Sequence, residues 1–120
     1  MHWKASLQNK LGLVHIFNGK YEQALEVLLD AAKYAEKTAD TMIMSGSYVS
    51  LGIVHRYLGS YDVSLDYFTK GLKLARARGE QGNISNCMVN IAIIYHIKKE
   101  YDKAIEIYEQ SRRTIFCVIF

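Results

Sequence analysis

The chain has no proline in 120 residues. Nothing in it therefore fixes φ or removes a backbone donor inside a long helix. It has only two cysteines, Cys87 and Cys117. That is too few for a disulfide framework or a cysteine-built zinc site, so both read as unpaired thiols. No apolar run approaches the length of a membrane-spanning helix, and membrane insertion is not expected. The stretch "MHWKASLQNK" lacks the apolar core and small-residue cleavage site of a secretory signal, so the cytoplasm is the expected compartment. No nucleophile stands beside a base, no carboxylates pair, no glycine-rich phosphate loop is present, and no two histidines stand at metal-ligand spacing. An enzyme is not expected, and neither a cofactor nor a metal.

What the chain has is ordinary composition and a strong internal pattern. Half of its residues are apolar and 22% are charged, as in a folded globular protein. The net charge is +3, and its arrangement argues against nucleic acid. Asp62 and Asp66 precede Lys70, Lys73, Arg76 and Arg78. Glu22 and Glu26 precede Lys33 and Lys37, and Asp102 and Glu106 precede Arg112 and Arg113. Acid first and base last is the order that a helix dipole favours. No aromatic platform accompanies the bases.

Three segments align without a gap at an offset of forty: "LGLVHIFNGKYEQALEVL" (11–28), "LGIVHRYLGSYDVSLDYF" (51–68) and "IAIIYHIKKEYDKAIEIY" (91–108). Tyr21, Tyr61 and Tyr101 coincide, as do Gly12, Gly52 and Ala92. A repeat of this length is one supersecondary unit that cannot bury its apolar face alone. Each unit reads as two helices. Tyr21, Ala24, Leu25, Leu28, Ala31, Ala32 and Ala35 recur at helical spacing, as do Tyr48, Leu51, Gly52, His55 and Leu58. The predicted helices cover roughly 2–18, 21–39, 42–58, 61–79, 82–98 and 101–116. Gly19 and Gly59 suit left-handed helix ends, and Asp40 suits an N-cap. The third unit has Lys99 where the others have the turn glycine.

These positions resemble the tetratricopeptide repeat family. The resemblance runs through Leu11-Gly12, His15, Gly19, Tyr21, Ala24, Leu25 and Leu28. It continues through Leu51-Gly52, His55, Gly59, Tyr61, Leu65 and Phe68, and through Ile91-Ala92, Tyr95, Tyr101, Ala104, Ile105 and Tyr108. The period is forty, against about thirty-four in the commonest form, and the proline that often ends the second helix is absent. The resemblance implies an all-α fold, a right-handed superhelix of three stacked helix hairpins in one domain over 1–120. The repeats are approximately 1–40, 41–80 and 81–120. It also implies non-catalytic binding of a protein or peptide partner. His15 and His55 share one place, taken by Tyr95 in the third unit, and read as rings packed between helices.

In such a stack the first helices line a concave groove. The expected groove residues are Asn9, Leu13, Val49, Ile53, Arg56, Asn86, Val89, Asn90, Ile93 and His96, an apolar floor with amide and cationic edges. The carboxylate clamp of chaperone-binding relatives would fall on Asn9, Leu13, Ser50, Asn86 and Asn90, where the basic residues it needs are missing. A homo-oligomer joined at the C-terminal end is the alternative function. Its seam would comprise Tyr101, Ile105, Tyr108, Ile115, Phe116 and Phe120, because no seventh helix follows to cover the last pair. The same "TIFCVIF" could instead be the stump of a longer array. Its last four residues also fit the C-a-a-X form of a prenylation box on Cys117.

Overall fold

The computed structural model describes residues 2–119, and the side chains of residues 2–113. Six helices follow one another: α1 (His2–Phe17), α2 (Tyr21–Thr38), α3 (Thr41–Tyr57), α4 (Tyr61–Arg78), α5 (Gln81–Ile97) and α6 (Tyr101–Ile119). Among the described residues there is no strand, and the architecture is an all-α helical-repeat solenoid. The predicted ends agree to within a residue, except that α6 runs on to Ile119 rather than stopping near 116. No proline or glycine stands in that stretch to stop it.

The turns repeat as closely as the helices do. At the end of α1, the N–H of Gly19 donates to the carbonyl of Ile16, and that of Lys20 to the carbonyl of His15. The same pair of bonds closes α3 at Gly59 and Ser60, and α5 at Lys99 and Glu100. This is the Schellman arrangement, which requires a left-handed residue. Gly19 and Gly59 supply it at φ 74° and 80°. Lys99 adopts it at φ 65° despite its side chain. Gly79 (φ 69°) and Ala39 (φ 55°) do the same after α4 and α2. The Asp40 carboxylate accepts from the N–H of Ile43 at 3.2 Å, the expected N-cap of α3.

Within each hairpin, the small residue of the first helix lets the second come close. A Cβ on Gly12 would lie 2.5 Å from the Leu28 side chain, and one on Gly52 would lie 2.7 Å from the Phe68 ring. Leu28 and Phe68 are fully buried there. Ser64 closes the same seam by donating its hydroxyl to the Gly52 carbonyl. Between hairpins, one cluster joins Ile16, Ala24 and Leu28 to Tyr48, Leu51 and Val54. The next joins Val49 and Phe68 to Cys87, Ile91 and Ile94. Stacking is thus built by α3 closing over α2, and α5 closing over α4. Tyr21 and Tyr57 stack across the first of these seams, with ring centroids 5.6 Å apart and planes within 8°.

Candidate functional site

The expected groove residues differ in burial and in what they touch. Val49 is 6% exposed and packs in the core with Phe68, Cys87 and Ile91. Gly71 on α4 has no side chain, and an added Cβ there would meet the Val49 methyl at 3.3 Å. That gap is what admits Val49. Asn90 is placed inside as well. It is buried, and its amide donates to both the carbonyl and the side-chain oxygen of Asn86 one turn earlier. Asn9 is engaged between helices: it accepts from the Ser47 hydroxyl at 2.7 Å and donates to the Ile43 carbonyl. Leu13 packs half-buried against the first cluster, and Ile53 against both. Arg56 lies over the Tyr57 ring at 4.8 Å. Asn86 is exposed.

Val89, Ile93 and His96 do come together, with residues first assigned to the oligomer seam. They line a cleft of about 610 Å³ with Tyr101, Ile105 and Tyr108. Ala92, Ala104 and Glu109 complete it. The lining is almost wholly apolar, with the His96 ring set edge-on to Tyr101 at 5.4 Å. Tyr101, Ile105 and Tyr108 are 52%, 60% and 55% exposed. Their counterparts forty residues earlier, Tyr61, Leu65 and Phe68, pack in the cluster that α5 closes. Ala92 contributes as well. It holds the place of Gly12 and Gly52 in the repeat and lines the cleft with Tyr108. Ala104 and Glu109 were not anticipated. Ile115, Phe116 and Phe120 lie outside the residues whose side chains are described.

His55 behaves as a packing group. His55 stacks on Tyr67, with centroids 5.6 Å apart and planes within 14°. Burial favours its neutral ring and lowers its pKa. Tyr67 in turn faces Tyr48, whose hydroxyl donates to the Glu36 carboxylate at 2.6 Å. Burial and that carboxylate push the Tyr48 phenol up to about 12. Burial pushes the Cys87 thiol up to about 11, so it is a poor nucleophile. Among the described residues, no three His, Cys, Asp or Glu side chains gather as metal ligands. No described helix is long and apolar enough to cross a membrane.

The family model of the tetratricopeptide repeat matches residues 3–77 and again 43–114. Among solved structures, the crystal structure of the tetratricopeptide repeat domain of Arabidopsis FLU is similar, with a TM-score of 0.87. The match covers 96% of this chain and 97% of that one at 19% identity, a likeness of fold. No curated protein matches in sequence comparison. With the two overlapping family matches laid over the three helix hairpins, the chain belongs to the tetratricopeptide repeat family.

Proposed function

We propose that residues 1–120 act as one non-catalytic interaction unit, and that it receives a helix or peptide of a protein partner at its α5–α6 end. The first-helix groove residues that serve this purpose are Val89, Ile93 and His96, joined by Tyr101, Ile105 and Tyr108. The observation that carries the reading is the exposure of those three second-helix residues beside an apolar cleft. Large exposed apolar patches of this kind mark interaction sites. At the matching places in the other hairpins, the occupant is the first helix of the next hairpin. An amphipathic helix presenting anchors at i, i+4 and i+7 is thus the ligand shape that the fold already uses. The partner is protein rather than nucleic acid or membrane, and neither a metal nor a cofactor takes part. A cytoplasmic setting suits Cys87, an unpaired thiol.

The test is binding of a helix-stapled peptide with the sequence of residues 81–97, followed by fluorescence anisotropy. Saturable binding that is lost in Ile105→Glu supports the reading. Absence of binding, or equal binding to the variant, refutes it.

A further inference from the structure

The first helix has the counterpart of the open cleft. Trp3, Leu7, Leu11, Val14 and Phe17 form a stripe along α1, and all five are exposed. Advancing by forty residues gives Ile43, Ser47, Leu51, Val54 and Tyr57 on α3. The first four of these are buried, and Tyr57 stacks on Tyr21. A further step gives Cys87, Ile91 and Ile94 on α5, all buried. The stripe that closes each hairpin over the one before it is therefore present on α1 with nothing of this chain beneath it. The surface that each such stripe closes over is present at α5–α6, and no described helix lies above it.

Resting on the reading of that cleft as a helix seat, we infer that its occupant is α1 of a second copy of this chain. The internal repeat supplies the docking operation: the step that carries α3 onto α5 carries α5 onto the incoming α1. Leu11 and Val14 of the second copy take the places that Ile91 and Ile94 hold over Phe68 in the second seam. Phe17 of the second copy falls on Tyr101, as Tyr57 falls on Tyr21. Charge does not oppose the contact. Glu109 lines the cleft, while α1 contains Lys4 and Lys10 and no acidic residue. The two surfaces differ, so the interface is heterologous and leaves one free end of each kind at every stage. Assembly then grows as an open run with concentration and does not stop at two chains.

Two single variants decide the matter, because each removes one half of the contact. Val14 is 51% exposed and Ile105 is 60% exposed, so glutamate at either place leaves the fold intact. Circular dichroism checks this, with Phe17→Glu as the substitute should Val14→Glu lose helix. Weight-average mass is read by sedimentation over about 1–100 µM. The wild-type chain is expected to rise beyond twice the mass of one chain. Val14→Glu and Ile105→Glu alone each stay at one chain, and their equimolar mixture reaches about twofold and stops. A wild-type chain that stays at one chain's mass overturns the inference. So does an assembly that persists in either variant alone, since that is a head-to-head or tail-to-tail contact. A monomeric chain that still binds the stapled 81–97 peptide removes the second copy as occupant and leaves the seat itself standing.

Discussion

Gly52 shows at the scale of one residue how the sequence sets the hairpin spacing. Its missing side chain is filled by the Phe68 ring, and the nearest ring atom would be 2.7 Å from a Cβ. Phe68 is fully buried and has nowhere to retreat. Gly52→Ala is therefore expected to destabilise by about 1–3 kcal/mol through overpacking, although alanine is the better helix former. Gly82→Ala, where an added Cβ meets nothing within 4 Å, is expected to gain about 0.5 kcal/mol. Urea unfolding of the two variants checks both signs. His55 gives a pH effect at the same scale. Its folded pKa lies below the ordinary value of 6.5 because burial penalises the charged ring. Protonation thus favours the unfolded chain: the contribution to stability is full above the ordinary value and is lost as pH falls from there through the lower folded one. Tyr95 holds the equivalent place in the third hairpin, which makes His55→Tyr the natural control. Its melting temperature is expected to fall less than that of wild type between pH 7.5 and 5.5, roughly the range of histidine titration. An equal fall in both proteins would remove His55 from the account.

At the scale of helices and turns, most of the structure was legible in the sequence. The forty-residue offset fixed the six helices, because a hairpin that recurs in register constrains its own boundaries three times over. The Asp40 cap and the glycine ends at Gly19 and Gly59 followed from residue chemistry. Lys99 follows the same turn against its own preference, since the Glu100 N–H bond to the Tyr95 carbonyl demands it. Lys99→Gly is expected to stabilise the chain by about 0.5–1 kcal/mol, the left-handed strain relieved less the added freedom of the unfolded chain. Asp40→Ala is expected to cost about 1 kcal/mol. Thermal unfolding reads both. The groove was less legible. A stripe facing a groove and a stripe facing the next hairpin have the same helical period, and Val49 fits either one. What decides it is Gly71 on another helix, whose missing side chain draws Val49 into the core. Asn90 is buried and bonded to Asn86 one turn earlier, and its residue type alone does not distinguish that place from a groove edge.

For the molecule as a whole, the division of labour between seam and cleft has a direct consequence. Val49→Glu places a carboxylate among Phe68, Cys87 and Ile91 and is expected to cost about 3 kcal/mol or more. Ile105→Glu changes an exposed residue and is expected to leave stability nearly unchanged while removing binding. A chain of stacked hairpins closes each apolar face with the next hairpin, and at α5–α6 the corresponding residues Tyr101, Ile105 and Tyr108 are exposed. The most direct measurement is an isoleucine methyl NMR titration of the Val14→Glu chain, whose own first helix cannot compete, with the stapled 81–97 peptide. The methyls of Ile93 and Ile105 are expected to shift together and saturate at one peptide per chain, while those of Ile16 and Ile43 stay in place. Shifts centred on Ile16 and Ile43, or no shift at Ile93 and Ile105, would contradict the account.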